Sequence, residues 1–247
     1  MARRELRESA EHRPYFALGQ PASPEADTGT REMAPLQPFV ISGGRNTERY
    51  YFIHLAKVTP YKFTVKPEYF SDESNYTEAF PRRIKEILAG NADAKVFCVF
   101  DWETVYGNAR NLAKHKTFEQ QFQTEIDSGS VVICESMPCF EYWFLLHFTD
   151  HTELLRNYPK VTNLLAPHMK GCFPAALSDV KFKKLIKSEK YLTDATWVKN
   201  LCDGGKLDGA IARAESNMQA AIAHGELEQQ SYSKVYRMFK GQQVLEI

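Results

Sequence analysis

Phe97-Cys98-Val99-Phe100-Asp101-Trp102-Glu103 decides the reading of this chain, because an apolar run passes straight into two carboxylates that flank one aromatic residue. A strand that is apolar on both faces belongs to a parallel sheet covered by helices on each side. In such sheets ligands gather beyond the carboxyl ends of the strands, and Asp101 and Glu103 fall there. As alternate positions leaving a strand they share one side, roughly 7 Å apart along the backbone, and Trp102 is expected on the other face. Oxygen ligands of this kind suit Mg2+ or Mn2+, which take one or two carboxylates and complete their shell with water and substrate phosphates. The plainer alternative is a solvated acidic loop in which Glu103 caps the following turn.

Working outward, hydrophobic periodicity predicts a strand over 38–42, a Gly-Gly turn, a helix over 47–57, a strand over 61–65 and a helix over 76–89 before the strand at 95–100. A long amphipathic helix is expected within 108–127, striped by Leu112, Phe118, Phe122 and Ile126, and then a strand over 131–134. Such alternation predicts an α/β fold, a mostly parallel sheet flanked by helices. The last third reads as helical, with segments near 140–148, 178–187, 193–201, 208–223 and 231–239. Three parts are therefore expected. Residues 1–37, rich in Arg, Glu and Pro, form an extended or partly disordered arm; 38–150 form the α/β domain; 151–247 form a helical extension packed on it.

Composition narrows the function. Among 247 residues, 31 Lys and Arg balance 31 Asp and Glu, so no global basic field attracts nucleic acid and any phosphate binding has to come from a local patch or from metal ions. The five cysteines are odd in number and form no CxxC pair, which reads as reduced core thiols and a cytoplasmic location. No apolar stretch reaches roughly 18 residues, so no membrane span is expected, and the start lacks the apolar core of a signal peptide.

Two further stretches carry possible chemistry. In Ile41-Ser42-Gly43-Gly44-Arg45-Asn46-Thr47-Glu48 a strand meets a double glycine and then a helix. Gly43 and Gly44 let the backbone approach a ligand, the amides that follow and Arg45 are placed to hold a phosphate, and Glu48 stands in the first helical turn. The alternative is a plain turn with Thr47 as N-cap and Glu48 serving the helix dipole. In Cys134 to Phe148, Ser136 and Pro138 open an almost wholly apolar helix that has to be buried. Glu141 in its first turn is either a dipole residue or an acid held at the carboxyl edge of the sheet. His147 reads as a core histidine rather than a ligand. Lys181, Lys183, Lys184, Lys187 and Lys190 form one local basic cluster, read either as a solvated helix face or as a nucleic-acid track.

The order Gly43-Gly44, Thr47-Glu48, Tyr51-Phe52, then Phe100-Asp101-Trp102-Glu103, then Ser136 to Phe148 resembles the RloB-like proteins, a bacterial group with a Toprim-type catalytic domain. The resemblance covers about 38–148, with weaker agreement at Ser231 to Tyr236. It implies a Toprim-like fold and metal-dependent phosphodiester chemistry, hence a nuclease acting on DNA or RNA with Mg2+ or Mn2+. It also implies an ATPase partner in restriction-linked or anti-phage loci, and it leaves room for a homo-oligomer. Two positions depart from the family pattern. Gly43 stands where the first acid usually stands, and Asp101-Trp102-Glu103 replaces Asp-x-Asp. Carried over residue by residue, Asp101 and Glu103 bind metal and Glu48 takes the duty of the missing acid; beside these, the local readings make Glu141 a second candidate catalytic acid and let Gly43, Gly44 and Arg45 hold phosphate. Two other readings stay open: a lapsed nucleic-acid-binding or regulatory subunit of an ATPase complex, and a phosphotransferase or hydrolase acting on a small nucleotide.

Overall fold

The structure, a computed structural model, describes residues 37–66, 76–225 and 227–240. Apart from residue 37, the arm expected at 1–37 lies outside them. Five strands form one sheet: β1 (Phe39–Ser42), β2 (Thr64–Lys66), β3 (Val96–Asp101), β4 (Val131–Met137) and β5 (Tyr232–Ser233). Their order is β2-β1-β3-β4-β5, parallel throughout except for β5, which runs antiparallel to β4. The α/β reading holds, and the architecture is consistent with the Toprim-like fold that the resemblance implies.

Strand order reverses between β1 and β3. The chain moves from β1 outward to β2 through α1 (Thr47–Val58), then returns past β1 through α2 (Tyr76–Gly90) to β3. Right-handed crossovers in opposite directions put their helices on opposite faces, and the side chains of β3 sort accordingly. Phe97 and Val99 join Tyr51, Phe52 and Leu55 of α1 in one core. Val96, Cys98 and Phe100 join Phe80 and Ile84 of α2, with Phe118 and Phe122, in the other. Burial on both faces is what its unbroken apolar run encodes. The reversal lies at the carboxyl ends of β1 and β3, the usual ligand position in open α/β sheets.

Several boundaries differ from expectation. The helix expected within 108–127 is broken into α4 (Ala109–Gln121) and α5 (Gln123–Asp127), following α3 (Glu103–Tyr106), with Phe122 at φ −115°, ψ 22° between them. Asn108 caps α4, its side chain accepting from the amides of Arg110 and Asn111 at 2.9 and 3.2 Å. The apolar stretch after Pro138 yields only α6 (Glu141–Leu145). An unpredicted helix, α7 (Tyr158–Met169), follows, started by Asn157, which caps it, and Pro159. Then come α8 (Phe182–Lys187), α9 (Glu189–Leu192), α10 (Thr196–Cys202) and α11 (Lys206–His224).

The expected helix at 231–239 is corrected. Tyr232–Ser233 is strand β5 and Val235–Phe239 a short 3-10 turn. Ser136 and Ser233 share a hydroxyl hydrogen bond of 2.8 Å across the β4–β5 ladder, a non-local pairing that local periodicity does not carry. The C-terminal helices share the first core: Leu165, Trp197, Val198, Ala210 and Phe239 belong to the same buried cluster as Val40 and Phe97.

Candidate active site

Asp101 continues the alternation of Phe97 and Val99, so its carboxylate leaves β3 on the α1 side, toward α6. The Phe140 amide donates to Asp101 Oδ1 at 2.7 Å. The amides of Trp102 and Glu103 donate to the carbonyls of Ser136 and Pro138 at 2.9 and 3.0 Å. The acidic segment is therefore bolted to the end of β4 rather than left as a loop.

Glu48 enters from the first turn of α1 and is almost wholly buried. Its carboxylate lies directly over Gly44, where an added Cβ would fall 1.7 Å from Glu48 Oε2. Only glycine leaves that space. Glu141, the first residue of α6, has no exposed surface. Its Oε1 is 2.6 Å from Lys187 Nζ. Apart from that ammonium, neither carboxylate oxygen of Glu141 has a hydrogen-bond partner. The Lys187 side chain is 41% exposed along its length while its charged head turns inward over the Tyr158 ring, 4.9 Å from the ring centre.

The electrostatics identify this as one unit. Burial raises the Asp101 carboxyl well above the usual carboxylate range, and Glu48 and Glu141 add to the rise. Burial also raises Glu48, with Lys187 opposing and Glu141 reinforcing. Burial pulls the Lys187 amine down, but Glu141, then Glu48, outweigh it and leave the amine raised and cationic. Three carboxylates and one ammonium thus meet at the rim, the arrangement expected of groups held apart from water.

Glu103 sits differently. It is half-buried, raised by that burial, and stabilised as an anion by the Tyr158 amide at the start of α7; its charged neighbours are Glu141 and Lys187. Gly43 donates its amide to the Val99 carbonyl at 2.9 Å, which commits that group to the sheet. Arg45, in the turn between β1 and α1, is exposed. Thr47 is not the N-cap of α1: Asn46 precedes the helix, and the Thr47 hydroxyl donates instead to the Ile186 carbonyl at 2.5 Å. Lys187, unlike the other residues of its basic cluster, serves this site. Its one sequence signal is its position directly after the apolar pair Leu185-Ile186, which forces the helix end against the core.

His147 is a core histidine, as expected, its Nδ1–H donating to the Trp143 carbonyl at 3.0 Å. All five cysteines are free, four of them buried. Among the described residues no group of three or more His, Cys, Asp or Glu side chains is set to hold a metal ion by itself. The donor chemistry nonetheless fits Mg2+ or Mn2+, which commonly rest on one or two carboxylates with water and substrate phosphate. Glu141, one of whose oxygens is not engaged by Lys187, and the neighbouring Asp101 offer such a pair. No helix among the described residues is long and apolar enough to cross a membrane.

Residues 39–240 match the family model described as RloB-like protein. The chain belongs to the RloB-like family. None of the curated proteins and none of the solved structures matches it. The RloB-like match reaches from β1 past β5 and so includes Lys187 and the C-terminal helices, well beyond the span of the motifs that first suggest the family.

Proposed function

We propose that this chain is a divalent-metal-dependent phosphodiesterase, a nuclease of the Toprim type acting on DNA or RNA. On this reading it is the effector of a bacterial anti-phage system that works beside an ATPase in the reducing cytoplasm. The observation that carries the reading is the convergence of Glu48, Asp101 and Glu141 at the strand-order reversal, from three separate segments. Family membership supplies the expectation of phosphodiester chemistry.

Asp101 and Glu141 would hold Mg2+ or Mn2+, with Glu103 at the mouth of the site. A bound metal supplies Lewis-acid stabilisation of the charge that develops on the scissile phosphate. Asp101 is kept in register by the Phe140 amide. Glu48, whose burial makes it a stronger base than an exposed carboxylate, takes a proton from the attacking water at its carboxylate. Lys187 places a positive charge where phosphate oxygens enter, and Arg45 with the amides after Gly44 grips a neighbouring phosphate.

The test is cleavage of DNA and structured RNA by the purified chain, alone and with a neighbouring ATPase, in Mg2+ or Mn2+. Cleavage that persists in Asp101→Ala overturns the assignment.

A second reading has its own observation. Gly43 occupies the place of the family's first acid, and the Lys187 ammonium already neutralises Glu141. Together these describe a lapsed site in a binding or regulatory subunit. Calorimetry separates the two: Mg2+ binding that is lost in Asp101→Ala favours the enzyme, and no binding at millimolar Mg2+ favours the subunit. Activity that appears only in Gly43→Glu identifies a degenerate relative.

A further inference from the structure

Behind the acid cluster, on the other face of the sheet, Trp102 forms the wall of a groove of about 420 Å3 that no part of the proposed mechanism uses. Its other sides are Tyr106, Met137, Leu154, Arg156 and Tyr232. Past Trp102 and Tyr232 it continues into a broader depression bordered by His115, Lys116 and Arg237. That volume lies in the range of small-ligand sites. The groove is aromatic on its walls and cationic on its rim. Tyr106 is 55% exposed, one of three large apolar side chains left so open among the described residues.

Of the acids nearby, Glu135 is matched by Lys234, while Glu119 meets the His115 ring, whose pKa burial lowers, at 3.3 Å. Lys116, Arg156 and Arg237 have no ion-pair partner among the described residues, in a chain whose net charge is zero. Aromatic walls beside unmatched cations disfavour a cationic or purely apolar occupant and favour a flat, anionic one. A nucleotide is both: each base offers a π face for stacking and each phosphate a charge for Arg156. Bases inside a duplex are already stacked on one another, so an aromatic groove selects unpaired ones.

We propose that this groove binds unpaired nucleotides of a single-stranded nucleic acid, a base stacked against Trp102 and Tyr106 and a phosphate on Arg156, next to the segment that carries Asp101 and Glu103. The proposal deepens the phosphodiesterase reading and rests on it for why a strand should lie there. It makes the substrate of the acid cluster a single strand, or the loop or end of a structured one. DNA and RNA share the recognised chemistry.

Trp143 and Trp197 are fully buried, so the response of intrinsic fluorescence to a stacking ligand reports Trp102 alone. The full chain is titrated in EDTA, where no cleavage occurs, with oligothymidylate, oligouridylate and a duplex of equal length, each about 12 nucleotides. Expected are saturable quenching by single strands, at least roughly tenfold weaker binding of the duplex, and roughly tenfold weaker single-strand binding in Arg156→Glu with a flatter salt dependence. A stronger response to one single strand assigns the sugar. Trp102→Phe, read by anisotropy of a labelled strand, should also bind more weakly than the parent. The inference is overturned if neither single strand quenches, if the duplex binds equally well, or if Arg156→Glu changes nothing. Asp101→Asn separates the two claims. Quenching that survives in it while the parent never cleaves leaves the groove standing and removes the phosphodiesterase. Cleavage without quenching removes the groove alone.

Discussion

Gly44 is defined by what lies above it. The Glu48 carboxylate fills the volume of the missing side chain, so Gly44→Ala has to push that carboxylate out of the cluster. Overpacking of this kind costs about 1–3 kcal/mol, and denaturant unfolding should show it together with weaker Mn2+ binding. Asp101 carries the opposite signature. Its folded pKa is raised, so the stability it contributes is present at low pH and is lost as pH rises through that value. The ionised form of the group is a net cost to the fold. Asp101→Asn, which keeps an acceptor for the Phe140 amide, should therefore be inactive yet more stable. A gain on the order of 1 kcal/mol would appear as about 2–4 °C in the thermal midpoint.

His147 sets a pH dependence from the other side. Burial lowers its pKa to about 3. Above the ordinary value of 6.5 the ring is neutral whether folded or not. Below it the unfolded chain takes up a proton that the folded chain refuses, so stability falls by up to about 1.4 kcal/mol per pH unit. Urea titrations at pH 7 and pH 5 should show a loss about 2 kcal/mol smaller in His147→Gln than in the parent. An equal loss in both would mean that the ring is hydrated.

Among the elements, α6 and α8 are joined by one ion pair. Removing the cation in Lys187→Met strands a carboxylate with no solvent exposure. The expected cost is about 1–3 kcal/mol, less than for a fully dry pair because Lys187 is 41% exposed. Lys187→Met with Glu141→Gln should recover most of it, measurable as a double-mutant cycle.

This pair also marks where sequence reading stops. Strand β3 and its two acids are legible because an apolar run with carboxylates at one end has few other meanings, and β1, α1, α2 and β4 follow from alternation and glycine punctuation. Glu141 was legible as an acid in an apolar helix. Its partner was not, because Lys187 lies in a run of lysines whose local pattern is that of a solvated face. The break at Phe122 has no glycine or proline to announce it. Strand β5 is two residues long and exists only because the distant edge of β4 receives it. Trp102 is legible as a residue of the far face, but the groove around it is assembled from β4, β5 and the segment after α6.

Over the whole molecule, sheet and C-terminal helices share one core. A chain ended at residue 150 would uncover the faces of Tyr51, Phe144 and Trp143 that now meet Trp197 and Phe239. Circular dichroism of such a truncation should show helix without a cooperative thermal transition, whereas the intact chain should unfold in a single step.

The side of α1 that faces the C-terminal helices is pinned by four contacts: Asn46 to the Lys187 carbonyl, Thr47 to Ile186, Tyr50 to Glu189 and His54 to the Leu192 carbonyl. Each spans some 140 positions of chain. Closing so large a loop carries an entropic penalty that local contacts do not repay. A ribosome that has delivered both motif-bearing strands has therefore not yet delivered a finished acid cluster. On the proposed function, nascent or prematurely terminated polypeptides would be harmless to the nucleic acids around them, and destructive capacity would arrive only with the last helices.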